Sequence, residues 1–318
     1  MRPVIDCDVP LAAPPVRELR DHLPPVWADY VTESALRSLE PGYVAPGSLP
    51  REPRLAEDAS LGILTPVAAV EALHNEDLTA ALARALNDWL RTRWLDADPR
   101  LRGTITLAPQ GPAQAAEEVE RCAADSRFVQ AVLPLRCEVP LGRRFFWPVY
   151  EACARHGIPL AVRPGGGTGT PTTPVGWPAF LIEDLATQAQ AYQSQLMSLI
   201  AEGALAHAPE LVVVLLGSGV TWLPSLLWRL DKNWRGIRRE VPWVDVLPSK
   251  LVRERVRLTV RPFDAPPDAY EEVLVQLGTE KVLLYAGGEG PVPDLDAYDA
   301  NARETYPRLE SDHAWRLR

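Results

Sequence analysis

The chain alternates short apolar runs with stretches whose apolar residues recur at helical spacing. Eight runs read as strands: Pro3–Val9, Leu61–Val67, Thr104–Ala108, Phe128–Leu135, Pro159–Val162, Leu211–Leu216, Val256–Val260 and Val282–Tyr285. Leu211–Leu216 is Val-rich and uninterrupted, the pattern of a strand covered on both faces in a parallel sheet. Gly217-Ser218-Gly219 ends it, and Pro224 marks the start of a helix. There Leu226, Leu230, Trp234 and Ile237 form one apolar stripe, opposite Arg229, Lys232, Arg235, Arg238 and Arg239. Further helices are predicted over Ala68–Asp96, Ala113–Asp125, Phe145–His156, Leu181–His207, Ala269–Leu277 and Asp294–Tyr306. The first of these is expected to break near His74-Asn75, where Asn75 or Asp77 can cap a new helix.

Eight short strands separated by helices are the count and order of an α/β fold, the (β/α)₈ or TIM barrel. A doubly wound open sheet is the alternative that alternation alone leaves standing. One domain over residues 1–318 is expected. An irregular excursion at about 11–60, rich in Pro, Arg and acids, follows the first strand, with a helical piece around Val26–Arg37.

Charge narrows the partners. A net charge of −9 and a pI near 5.2 leave no basic excess to bind nucleic acid. The uncharged run Leu211–Trp228 approaches the length of a membrane span, but Gly-Ser-Gly and Pro interrupt it. Acids near the N-terminus argue against a secretory signal, and the four cysteines form no Cys-x-x-Cys pair. The expected compartment is therefore the reducing cytoplasm, with Cys7 and Cys153 as small core residues.

In an α/β barrel the chemistry sits on the loops that follow the strands. Asp6 and Asp8 lie on one side of the first strand's pleat. Arg136, Arg163 and Arg261 fall at strand ends, so the mouth reads as cationic, either binding a small organic anion or pairing with structural carboxylates. Asp8 and Glu289 end neighbouring strands of a closed barrel and could form a carboxylate pair; the competing reading pairs Asp8 with Arg163. His22, His74, His156, His207 and His313 fall in helices, the excursion or the tail, and only His74 follows a strand. The glycine loop Gly165–Gly169 lacks the lysine of a phosphate-binding loop.

Longer peptides carry a resemblance. WLDADPRL (Trp94–Leu101), DSRFVQ (Asp125–Gln130), WLPSLLWRLDKNWRGIRREVPW (Trp222–Trp243), PSKLVRERVRL (Pro248–Leu258) and NARETY (Asn301–Tyr306) appear in one order. Together they resemble the amidohydrolase-related family of metal-dependent hydrolases and decarboxylases, the group that includes aminocarboxymuconate-semialdehyde decarboxylase. The resemblance implies a distorted TIM barrel, a divalent metal at the C-terminal ends of the strands, and frequent dimerisation. It also implies metal ligands after strands one, five, six and eight. This chain departs from that pattern at each of them: Pro10 stands where a His is expected, and Arg163, Leu216 and Gly288 occupy the other three positions. A guanidinium repels a cation and cannot lose its proton.

The expectation is therefore a chain with no metal and no other cofactor. It is read first as a non-catalytic pseudoenzyme that assembles with an active, metal-bearing paralogue, or with itself. The alternative is a metal-independent hydrolase, decarboxylase or condensing enzyme acting on a small organic acid with Asp8, Arg163 and Glu289.

Overall fold

The computed structural model describes residues 4–40, 49–57, 59–166, 171–260, 263–279, 281–287 and 295–310. Eight strands pair in chain order, each parallel to the next: β1 (Val4–Ala12), β2 (Ala59–Val67), β3 (Leu101–Thr106), β4 (Phe128–Pro134), β5 (Leu160–Arg163), β6 (Val213–Leu215), β7 (Val256–Thr259) and β8 (Leu283–Leu284). The Cys7 N–H donates to the Tyr285 carbonyl at 2.9 Å and brings the last strand against the first. This is a (β/α)₈ barrel, as the strand count predicts, and the open-sheet alternative falls.

Eleven α-helices are described: α1 (Val16–Leu19), α2 (Pro25–Glu33), α3 (Glu76–Leu90), α4 (Pro112–Ala123), α5 (Trp147–Arg155), α6 (Leu181–Ala201), α7 (Ala204–His207), α8 (Trp222–Ile237), α9 (Pro248–Arg255), α10 (Tyr270–Leu277) and α11 (Leu295–Thr305). The first two belong to the excursion. The break near His74 is real: α3 starts at Glu76, and Asn75 accepts from the Leu78 N–H at 2.9 Å, a cap worth about 1 kcal/mol. The long helix expected over Leu181–His207 is two helices, parted at Gly203.

Two layers of core follow from the barrel geometry. Alternate strand residues, among them Ile63, Ala161, Val214, Leu216 and Leu284, fill the interior, and Ala302, Tyr306 and Leu309 from the C-terminal segment join them. The other set packs outward against the helices. A row of hydrogen bonds crosses the interior: Tyr306 donates to Gln130 (2.7 Å), Gln130 donates to Thr104 (3.1 Å), and Thr104 meets Thr65 (3.3 Å). These buried polar groups satisfy one another, which a packed interior demands.

The stripe expected on α8 is buried only at its start. Leu226 is buried, Leu230 and Trp234 are half-buried, and Ile237 is 60% exposed. The apolar stripe of this helix is therefore incompletely covered toward its C-terminal end. Cys7 and Cys153 are buried and unbridged, as expected. No helix among the described residues is long and apolar enough to cross a membrane.

Candidate active site

A cavity of about 760 Å³ opens at the C-terminal ends of the strands, where a barrel places its chemistry. Asp8 and Pro10 from β1, Thr65 from β2, Arg163 from β5 and Gly217 after β6 line it. The β2 loop adds Glu71, the β4 loop adds Arg136, and Trp177, Leu181 and Leu185 form an apolar rim.

Asp8 reaches this cavity because β1 is irregular. The register slips between Asp6 and Val9, a bulge that breaks strict alternation. Asp6 is buried instead, its Oδ1 accepting from the Asp8 N–H at 3.3 Å and the Gly287 N–H at 3.0 Å. A side chain at 287 would place Cβ 2.5 Å from Asp6 Oδ2, so only glycine admits this approach. Burial is the largest effect on Asp8 and the neighbouring Asp6 charge the next. Together they push its carboxyl up to about 7, against the opposing pull of the Thr65 hydroxyl and Arg163.

Arg163 is buried, and its guanidinium donates to the carbonyls of Ala68 (2.8 Å) and Pro164 (2.9 Å). The direct Asp8–Arg163 ion pair expected from sequence is not made. The planar fork is instead held by backbone at the ends of two strands, and Asp8 meets its charge only through space. Burial lowers the Arg163 pKa, while Glu71 and Asp8 hold it up. Glu71 accepts from the Gly166 N–H at 2.8 Å, and burial raises its pKa against the attraction of Arg163. Gly166 has φ +72°, and a Cβ there would lie 1.7 Å from the Arg136 carbonyl oxygen, which fixes this wall of the cavity.

Arg136 lines the mouth and is bonded across it. It donates to Asp184 (3.1 Å) and Thr172 (3.2 Å), and Thr172 donates to Asp184 (2.8 Å), tying the start of α6 to the β4 loop. Of the positions where the resemblance places ligands, Pro10 and Arg163 line the cavity, and Leu216 sits buried in the barrel interior. Gly288, Glu289, Arg261 and His313 lie outside the described residues, so the Asp8–Glu289 pairing does too. Glu71 escaped the sequence reading, although its place four residues beyond the β2 terminus is the signal that could have found it.

The amidohydrolase family profile matches residues 5–305. The chain belongs to the amidohydrolase family. It is 26% identical over 239 residues to the gamma-resorcylate decarboxylase of Rhodococcus jostii, covering 68% of either chain. Its fold matches the 5-carboxyvanillate decarboxylase of Sphingomonas paucimobilis (TM-score 0.67, 20% identity, 96% of this chain and 99% of that one). It also matches a dihydroxybenzoic acid decarboxylase of Polaromonas with bound manganese and the inhibitor 2-nitroresorcinol (TM-score 0.67, 18% identity, 98% of either chain).

A manganese or zinc ion needs three or more oxygen, nitrogen or sulfur donors converging on one point. Among the described residues no three His, Cys, Asp or Glu side chains converge in this way, and no histidine lines the cavity. Asp184 is taken by Arg136 and Thr172, Glu71 by Gly166, and Asp6 by backbone N–H groups. A fixed cation, Arg163, stands among them. Among the described residues no such donor set is brought together, and the position that the resemblance assigns after β8 lies outside them.

Proposed function

We propose that this amidohydrolase-family barrel is a metal-independent decarboxylase of small aromatic acids. The observation that carries the reading is that Asp8 and the buried Arg163 line one cavity, where burial and the Asp6 charge push the Asp8 carboxyl up to about 7. A general acid works best with a pKa near the operating pH, because both of its forms are then populated. The acids named for the similar decarboxylases are hydroxylated benzoates, which place an anion and an electron-rich ring in one small molecule.

Arg163 supplies the fixed positive charge that draws the anion to the mouth. The apolar rim of Trp177, Leu181 and Leu185 covers the ring and keeps water from it. In its acid form Asp8 donates a proton to the ring carbon that carries the carboxylate. The ring–carboxyl bond then breaks, its electron pair restores the aromatic ring, and carbon dioxide leaves. Water returns the proton to Asp8, whose transient carboxylate is stabilised by Arg163. Purified protein incubated with 2,6-dihydroxybenzoate should release carbon dioxide at a rate that EDTA leaves unchanged; turnover abolished by EDTA and restored by manganese would sink the metal-free mechanism.

A second reading has its own support. The far end of the apolar stripe of α8, where Ile237 is 60% exposed, suits burial against another chain, either a metal-bearing paralogue or a second copy. In that case the barrel is a non-catalytic subunit that assembles with an active one. Co-expression with a metal-bearing relative should then yield a complex that co-elutes on size exclusion and is more active than the relative alone. Separate elution with unchanged activity counts against it. The free thiols support a reducing, cytoplasmic setting for either reading.

A further inference from the structure

A second cavity, about 770 Å³, lies beside the first on the same face of the barrel. Both are lined by Glu71, Arg136 and Gly166, which form a polar wall shared by the two. The backbone side of that wall is fixed, because Gly166 packs on the Arg136 carbonyl. The side-chain part of the wall is the Glu71 carboxylate, which accepts from the Gly166 N–H at 2.8 Å. Each lobe alone matches a ligand pocket of ordinary size; the two together exceed what a one-ring acid can fill.

The outer lobe has a distinct chemistry. At its rim Arg143 pairs with Glu202 (3.2 Å), and the His74 ring lies 3.8 Å from the Glu138 carboxylate. Phe145, 49% exposed, offers an open aromatic face. Gln110 turns its amide nitrogen to the Leu73 carbonyl at 2.6 Å, which fixes the orientation of the amide. Its Oε1 is then a buried acceptor with no hydrogen-bond partner. A buried acceptor of this kind calls for an O–H or N–H donor, and Gln110 lines the outer lobe.

Resting on the reading of the inner lobe as an organic-acid site, we propose that the two lobes form one groove for an extended aromatic acid, its carboxylate at Arg163 and a distal hydroxyl or N–H on Gln110. The second ring of such a ligand lies past Glu71 against Phe145.

Calorimetric titration with 4-hydroxybenzoate, biphenyl-4-carboxylate and 4′-hydroxybiphenyl-4-carboxylate tests this. The hydroxybiphenyl acid should bind about tenfold or more tighter than 4-hydroxybenzoate. Gln110→Leu should remove the gain due to the distal hydroxyl and leave 4-hydroxybenzoate binding unchanged. Phe145→Ala, at an exposed position that does not endanger folding, should weaken both two-ring acids alone. If 4-hydroxybenzoate binds and the two-ring acids bind no tighter, the extended groove is wrong and the inner site stands. If none of the three binds, both readings fall together.

Discussion

Asp8→Asn should lower decarboxylation by a factor of about 10² to 10⁴, the usual contribution of a positioned general acid. The amide keeps the size of the carboxyl and loses its transferable proton, so ligand binding should persist while turnover does not. Stability should move the other way, and its pH dependence gives the test a second axis. The folded-state pKa of Asp8 is raised from 3.8 to about 7. Folding therefore favours the protonated form. The contribution of Asp8 is most favourable below pH 4, declines as pH rises toward 7, and levels off above it. Asn carries no charge at any pH. The variant should match the parent in thermal melts at pH 4 and exceed it by about 2 °C or more at pH 8, the shift that ~1 kcal/mol makes in a large domain. A variant that retains full turnover removes Asp8 from the chemistry, whatever its melting temperature.

The second large effect is expected at Arg163. Arg163→Met fills much of the same volume with an apolar side chain but removes the donors to the Ala68 and Pro164 carbonyls. It also removes the charge that opposes Asp8 and Glu71. Losing one member of a buried charged group costs about 3 kcal/mol or more, because the others stay buried without compensation. Thermal or denaturant unfolding at pH 7.5 should show that loss. It should shrink toward pH 5, since both carboxyls take up protons more readily once the guanidinium is gone and their neutral forms tolerate burial. Stabilisation by added 2,6-dihydroxybenzoate, visible as a rise in melting temperature, should vanish in the variant. An Arg163→Met protein that keeps its stability and its response to the acid would show that the mouth does not work through this charge.

These two residues were singled out in the sequence because each ends a predicted strand, and strand ends are local features. Their partners were not legible. Asp8 faces the cavity through a bulge in β1, and nothing in VIDCDVPLA marks where the extra residue falls. Arg163 bonds to a carbonyl 95 residues away, a contact that exists only because β2 and β5 end at the same mouth. Glu71 and Gln110 belong to connecting loops with no motif, so their entry into the two lobes was invisible before the barrel closed. Arg136 was expected to serve either an anion or a structural carboxylate; it bonds to Asp184 and Thr172 and also lines the cavity.

What the amino-acid order determined by itself is the succession of eight strands and the helices between them, and a helix start after His74 capped by Asn75 or Asp77. Apolar runs, helical periodicity and capping act over a few neighbouring residues, so they can be read without knowing the fold. Only the tertiary structure decided where Asp6 hides, which groups hold Arg163, and how much of the α8 stripe is covered. Those outcomes depend on the register of strand pairing and on side chains meeting across the closed sheet, and neither is encoded in any short stretch of the chain.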